Sequence, residues 1–190
     1  DAAKIYVVDD DRDLGASVAR LLRRHGFDAQ PFLDPAPLLA VYAGAPADCI
    51  VTDVMMGDLD GFAFADRIRA IDPSSAIIFM TAWPTTANAV DSVRRYGGLD
   101  YLEKPLDEER LLAAVEEGVS WSSGRRQQLA RTASLTPRER QVFDLLTQGY
   151  SNKVIAAMLS LSSRTVEDHR ASVMFKTGAN GLAQLIALAR

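Results

Sequence analysis

Acidic, hydroxyl and ammonium side chains end or directly follow several short apolar runs of this 190-residue sequence. The residues that share this position are Asp9, Asp10, Asp53, Thr81 and Lys104. Carboxylates are preferred ligands of Mg²⁺, and a carboxylate can also act as the nucleophile that accepts a phosphoryl group. An ammonium group stabilises the charge of a phosphoryl group, and a hydroxyl can donate a hydrogen bond to it. These residue types therefore indicate phosphoryl transfer at a metal site.

The elements that would position these residues are predicted from hydrophobic periodicity. Five apolar runs predict strands at 4–8, 27–32, 48–52, 76–80 and 99–102. Patterns of helical spacing follow them at 12–25, 34–42, 60–71, 86–96 and 107–121. Strands that alternate with helices predict an α/β fold, a doubly wound five-stranded parallel sheet with strand order 2-1-3-4-5.

Parallel strands bring all their carboxyl ends to one edge of a sheet, so the polar residues are expected to meet there. Clustered carboxylates repel one another and require a compensating cation. Carboxylate, carbonyl and water oxygens suit Mg²⁺ or Mn²⁺. Asp11 lies in the same acidic run, and we interpret it as the cap of the following helix.

Composition and charge divide the chain into two parts. Residues 1–121 carry 21 acidic and 11 basic side chains, whereas residues 122–190 carry 4 and 10. A basic segment favours nucleic acid as a partner. A single cysteine, Cys49, excludes an intramolecular disulfide, and no apolar run is long enough to span a membrane, so we expect a cytoplasmic protein.

The basic part has the pattern of a small all-α domain. Residues 122–134 contain no acid and are predicted to form a helical linker. Thr136 and Glu139 have the spacing of a capping box, Ser151 is predicted to cap a second helix, and a third begins after Ser162 or Ser163. Short helices joined by short turns predict a helix-turn-helix unit.

Residues 4–121 resemble the receiver domain of two-component response regulators, through Val8-Asp9-Asp10, Thr52-Asp53-Val54-Met55-Met56, Asp60-Gly61, Met80-Thr81-Ala82 and Glu103-Lys104-Pro105. The resemblance implies that a sensor histidine kinase phosphorylates Asp53. It implies Mg²⁺ ligation by Asp10, Asp53, the Met55 carbonyl and, through water, Asp9. It also implies phosphoryl contacts from Thr81 and Lys104, a cis Lys104–Pro105 bond, and a conformational switch at Tyr101.

Five residues near the site depart from the receiver pattern or stand out within it. Gly57 replaces a usual proline, and Gly97-Gly98 replaces the common Gly-Ala, so both loops are expected to be looser than usual. Met55 and Trp83 lie two residues beyond Asp53 and Thr81. They either shield a phosphoryl group from water or stand exposed without effect.

Residues 135–190 resemble the LuxR-type output domain, in the arrangement of FixJ-like regulators, through Leu135-Thr136-Pro137-Arg138-Glu139, Gly149-Tyr150-Ser151-Asn152-Lys153 and Arg164-Thr165-Val166-Glu167-Asp168-His169. The resemblance implies base contacts from Glu167, Asp168, Arg170 and Ala171. It implies phosphate contacts from Lys153, Arg164, Thr165, His169 and Lys176. The last helix is a candidate for dimerisation.

Together these features predict a DNA-binding transcriptional response regulator with receiver 1–121, linker 122–134 and DNA-binding domain 135–190. The expected partners are a sensor histidine kinase, an inverted-repeat promoter, a second copy of the chain and, as a further candidate, RNA polymerase. Two alternatives stay open. A phosphate sink or interaction module would not bind DNA, and a phosphohydrolase would need a second acid where Met55 stands, so we expect no enzyme.

Overall fold

The computed structural model of the protein describes residues 1–56, 59–94 and 98–189. The chain divides into two compact units, Asp1–Gly124 and Arg125–Arg190. None of the described helices is long and apolar enough to cross a lipid bilayer.

The first unit is built on a five-stranded parallel sheet in the order β2-β1-β3-β4-β5, which confirms the predicted fold class. The strands are β1 (Lys4–Val8), β2 (Asp28–Phe32), β3 (Cys49–Asp53), β4 (Ala76–Thr81) and β5 (Asp100–Glu103). The helices that begin in this unit are α1 (Arg12–Arg24), α2 (Pro35–Val41), α3 (Gly61–Ile71), α4 (Thr86–Arg94) and α5 (Glu108–Ala133), and a 3₁₀ turn spans Tyr42–Gly44.

Alternating side chains of the strands build a separate core on each face of the sheet. On one face Ile5 and Val7 pack with Leu22 of α1 and Val115 of α5. On the other face Tyr6 and Val8 pack with residues of α2 and α3. A sheet that is covered on both faces explains why its strands are almost continuously apolar.

Several element boundaries differ from the prediction. The strand predicted to end at Thr52 includes Asp53, because Asp53 pairs with Met80 of β4. The helix predicted to end near Trp121 continues through residues 122–133. Hydrophobic periodicity in the sequence does not show which backbone groups pair between neighbouring strands. The predicted end of α4 beyond Arg94 lies outside the described residues.

The second unit contains α6 (Pro137–Thr147), α7 (Asn152–Leu159), α8 (Ser163–Thr177) and α9 (Leu182–Leu188). The predicted capping box of α6 is present, and Ser151 caps α7 as predicted. Of the two serines considered for α8, Ser162 is the cap. Buried side chains from all four helices form one core, in which Val142, Phe143, Ile155, Val166, Val173 and Leu185 take part.

Gly61 is the point at which α3 comes closest to the end of β3. Its amide donates a hydrogen bond to the Val54 carbonyl (2.8 Å), and a Cβ atom there would overlap the Asp53 carbonyl oxygen. Only a residue without a side chain fits this approach, so Gly61 keeps the helix against the strand that carries Asp53.

Gly61→Ala is expected to lower the free energy of unfolding of the first unit by about 1–3 kcal/mol, because the methyl group forces backbone to move. Gly124→Ala is the matched control. A Cβ there meets nothing within 4 Å, and alanine favours the helix by up to about 1 kcal/mol. Urea unfolding followed by tryptophan fluorescence measures both, since Trp83 and Trp121 lie in this unit. Equal stability of Gly61→Ala and the wild type would contradict the argument.

Candidate phosphoryl-transfer site and nucleic-acid interface

The polar residues at the strand ends lie at one edge of the sheet. Asp9 directly follows β1, Asp53 ends β3, Thr81 ends β4 and Lys104 directly follows β5. The register pairs Asp53 with the residue before Thr81, and the Lys104 amide donates a hydrogen bond to the Thr81 carbonyl (2.7 Å). The topology therefore brings together residues that lie up to 95 positions apart in the chain.

Three carboxylates form the centre of the site. Asp9, Asp10 and Asp53 each offer an oxygen atom within 4.8 Å of the others. Asp9 and Asp53 are buried, whereas Asp10 is exposed. Backbone amides hold two of them in place, since Asp9 accepts from the Asp11 amide (2.8 Å) and Asp53 from the Met55 amide (3.2 Å).

Lys104 is the cation of this cluster. Its Nζ lies 2.7 Å from Asp9 Oδ2 and 3.1 Å from Asp53 Oδ2. Burial by itself lowers the pKa of Lys104, but hydrogen bonds to Asp9 and Asp53 and their charges outweigh it and raise that pKa. Burial raises the pKa of Asp9, and the bond from Lys104 offsets this only in part. The site thus holds an ionised lysine between two carboxylates.

The charge of the cluster suits a divalent cation. Three carboxylates and one ammonium group leave an excess of two negative charges. Carboxylate oxygens close to one another, one of them exposed to solvent, are the donor set that Mg²⁺ and Mn²⁺ use. The residues present therefore fit such an ion.

Thr81 and Tyr101, the predicted phosphoryl contact and switch residue, have different surroundings. The buried Thr81 hydroxyl accepts a hydrogen bond from the Trp83 amide (3.0 Å). The Tyr101 ring packs partly against the core, and its buried hydroxyl has no hydrogen-bond partner among the described residues. The predicted cis bond between Lys104 and Pro105 is present.

Met55 and Trp83 occupy equivalent positions at the rim. The amide of each donates a hydrogen bond to the side chain two residues earlier, on Asp53 and Thr81 respectively. Both side chains are largely in solvent, with 62% of Met55 and 74% of Trp83 exposed. The backbone of each residue is thus held at the site, while its apolar side chain is exposed to solvent.

The two predicted departures from the receiver pattern have different outcomes. Gly57 lies outside the described residues, as does Gly97. For Gly98 the expected loosening stays a prediction, but a Cβ there would lie 2.7 Å from the Phe79 ring. Gly98 allows close packing between the chain leading to β5 and the core.

Helices α7 and α8 carry the predicted DNA contacts. Those that are exposed to solvent are Lys153, Arg164, Glu167, Asp168 and Ala171. Thr165, His169 and Arg170 are half-buried. Arg170 Nη1 donates to Asn152 Oδ1 of α7 (3.2 Å), and the Thr165 and Ser162 hydroxyls lie 2.8 Å apart at the cap of α8. The Arg170 bond therefore joins α8 to α7, whereas the Thr165 contact lies within the cap of α8.

Lys176 has a partner that sequence reasoning missed. Its Nζ lies 2.6 Å from Oε1 of the buried Glu139, and 3.5 Å from the Ser134 carbonyl oxygen. Lys176 and the Thr136 amide lower the pKa of Glu139 to about 2. The capping box marked Glu139 as a local helix residue, but its partner lies 37 positions away.

Two family models match the sequence in successive segments. The model of the response regulator receiver domain matches residues 5–116. The model of bacterial regulatory proteins of the luxR family matches residues 133–189.

Individual proteins match the chain over almost its whole length. It is 40% identical to the transcriptional regulatory protein FixJ of Bradyrhizobium diazoefficiens, over 97% of this chain and 93% of that protein. It is 35% identical to the tetrathionate response regulatory protein TtrR of Salmonella typhimurium, over 97% and 90% respectively. The crystal structure of full-length FixJ from B. japonicum matches with a TM-score of 0.59 and 38% identity, over 98% of this chain and 95% of that chain.

Glu139→Gln is expected to lower the free energy of unfolding of the second unit above pH 4.5. Below that pH, the free energy of unfolding should change less with pH in the variant than in the wild type. The pKa of Glu139 is lowered in the folded protein, so its stabilisation is present above the ordinary pKa of 4.5 and is lost as pH falls towards about 2. Urea unfolding followed by circular dichroism, from about pH 2 up to neutral pH, measures this.

The matched control is Asp144→Asn, which removes an exposed ion pair with Arg140 and should change stability by less than about 1 kcal/mol. A pH dependence of Glu139→Gln identical to that of the wild type would contradict the role of the ion pair.

Proposed function

The chain belongs to the two-component response regulators that join a receiver domain to a LuxR-type DNA-binding domain, and from this premise we propose that phosphorylation of Asp53 switches its binding to promoter DNA. We assign the receiver to residues 1–121, a linker to 122–134 and DNA binding to 135–190. The observation that carries the proposal is the position of Asp53 at the end of β3, hydrogen-bonded to Lys104 within the carboxylate cluster.

Asp53 is the nucleophile of the proposed transfer. One of its carboxylate oxygens attacks the phosphorus atom of a phosphohistidine on a sensor histidine kinase. The P–N bond breaks, its electron pair stays on the imidazole nitrogen, and an acyl phosphate forms on Asp53. Lys104, already 3.1 Å from Asp53, supplies positive charge to the phosphoryl oxygens.

Mg²⁺ or Mn²⁺ is the proposed cofactor. Asp10, Asp53 and the Met55 carbonyl would hold it, with Asp9 acting through water. Such an ion supplies charge neutralisation for the phosphoryl group during transfer. Asp9 contributes in a second way, because its bond to Lys104 keeps the ammonium group at the site.

Thr81 and Tyr101 form the proposed switch. The Thr81 hydroxyl leaves the Trp83 amide and donates to a phosphoryl oxygen, and Tyr101 turns inward as Thr81 moves. A hundredfold shift between two conformations needs about 2.7 kcal/mol. One charge-assisted hydrogen bond contributes about 1.5–3 kcal/mol, so these contacts are of the required size.

Helix α8 is the proposed recognition helix. In helix-turn-helix proteins the second helix lies in the major groove with its first turns at the base edges. The proposed contacts with the bases come from Glu167, Asp168 and Ala171. Arg170, which precedes Ala171 in the sequence, holds α8 to α7 through its bond to Asn152. Phosphate contacts are assigned to Lys153, Arg164, Thr165 and His169, whereas Lys176 is occupied by Glu139.

The proposed partners follow from this arrangement. The receiver meets a sensor histidine kinase, and the DNA-binding domain meets promoter DNA. A homodimer formed on phosphorylation would favour an inverted repeat with half-sites about one DNA turn apart. RNA polymerase is a further partner for a regulator at a promoter.

Phosphorylation is expected to tighten DNA binding by a factor on the order of a hundred, the shift that the switch contacts can supply. The measurement is gel retardation of promoter DNA with and without a small acyl phosphate and Mg²⁺. Asp53→Ala should remove the effect, while Asp66→Ala, an exposed acid on α3, should keep it. Equal binding by wild type and Asp53→Ala under both conditions would refute the switch. Absence of salt-dependent binding would favour a phosphate sink.

The double variant Met55→Asn, Trp83→Glu is expected to lose its phosphoryl group faster, because two apolar side chains no longer hinder the approach of water. An acceleration on the order of tenfold corresponds to about 1.4 kcal/mol in the barrier. Loss of labelled phosphate from the isolated phosphoprotein gives the rate. The control Val41→Asn, Ile71→Glu changes two other exposed apolar residues, at the ends of α2 and α3. Unchanged decay of the first variant would show that both rim residues are neutral.

A further inference from the structure

Phe175 is an aromatic residue that the core of the second unit does not use. It lies near the end of α8 with 88% of its surface exposed, more than any other large hydrophobic residue of the described part of the chain. On the same helix Val166 and Val173 are fully buried. Phe175 was absent from the predicted DNA contacts, because an apolar residue in a helical pattern is usually assigned to a core.

Helical spacing places Phe175 on the outward line of α8. Arg164, Asp168 and Ala171 precede it by eleven, seven and four residues, which are the spacings of one face of an α-helix. All four residues are exposed. This outward line is the side that the second helix of a helix-turn-helix presents to the major groove.

The length of the Phe175 side chain suits its position near the end of α8. Phe175 lies about 6 Å further along the helix axis than Ala171, a distance of about two base pairs. Contact is made by the first turns, so the later turns of a straight helix diverge from the groove floor. A long ring can still reach a base edge there, where a short side chain such as that of Ala171 would not.

The chemistry of the groove selects the target of an apolar ring. Among the groups that base pairs expose in the major groove, the C5-methyl of thymine is the apolar one, and phenylalanine is one of the side chains that contact it. Within one helical turn of Phe175, the other exposed residues of α8 are Ala171, Ser172 and Lys176, so the described residues of this helix form no broad apolar patch. A single ring is suited to a single methyl group, whereas a protein partner generally requires a larger apolar area.

We propose that Phe175 is a specificity-determining residue that contacts the C5-methyl group of a thymine in each half-site. The proposal rests on the DNA binding described above and adds to it a base preference. Removal of one methyl contact is expected to weaken binding about fourfold per half-site, the effect of exposing roughly one buried carbon.

The experiment removes the methyl group and the ring separately and together. The full-length protein, phosphorylated with a small acyl phosphate in the presence of Mg²⁺, selects a duplex from a randomised pool. Each thymine of that duplex is then replaced by deoxyuridine, which lacks only the methyl group. For the wild type, one symmetric replacement should weaken binding about fourfold per half-site. For Phe175→Ala, the same replacement should have no further effect.

Two further variants sharpen the result. Phe175→Leu keeps an apolar side chain and should retain part of the preference for thymine. Met158→Ala removes another exposed apolar side chain, on α7, and should leave every affinity and the methyl effect unchanged.

Three results would overturn the proposal. Phe175→Ala could bind every duplex as well as the wild type, which would mean that the ring does not touch DNA. It could weaken all duplexes equally with the methyl effect intact, which would indicate a contact with the sugar-phosphate backbone. Failure of the wild type to retain any duplex in a salt-dependent manner would remove the DNA binding on which the proposal rests.

Discussion

The repulsion between carboxylates at one edge of the sheet is the constraint on which the site depends. Parallel strands deliver Asp9, Asp10 and Asp53 to the same place, with oxygens within 4.8 Å of one another. Lys104 neutralises one charge and bridges two of the acids. The remaining charge makes the edge receptive to a divalent cation and, with that cation, to a phosphoryl group. The sheet order is therefore as important to the chemistry as the acids themselves.

The same edge supplies a means of response. The Thr81 hydroxyl is buried and accepts a hydrogen bond from the Trp83 amide, and the buried Tyr101 hydroxyl has no hydrogen-bond partner among the residues that the structure describes. Both groups can gain a better partner when charge is added beside them, so phosphorylation would change the preferred arrangement and not only the charge. In the second unit, the ion pair of Lys176 and Glu139 joins α8 to α6, and the bond between Arg170 and Asn152 joins α8 to α7.

The fold and the acidic site were predictable from the sequence because both depend on local patterns. Apolar runs that end in Asp53 or Thr81 mark strand ends, and the alternation of strands with helices sets the sheet type. Features that depend on distant partners were not predictable, as with the ion pair between Glu139 and Lys176, which lie 37 positions apart. The exposure of Phe175 was missed for the same reason, since only packed helices reveal which face of α8 stays free.

Chemical identification of the phosphorylated residue tests the central claim most directly. Borohydride reduces an acyl phosphate to an alcohol, so a phosphorylated aspartate becomes homoserine, which mass spectrometry of peptides can locate. After treatment with a phosphorylated histidine kinase or a small acyl phosphate and Mg²⁺, the account predicts homoserine at position 53. When the metal is chelated before the treatment, no homoserine should form there. Homoserine at Asp9 or Asp10 instead, or at no aspartate, would contradict the assignment of Asp53 as the phosphoacceptor.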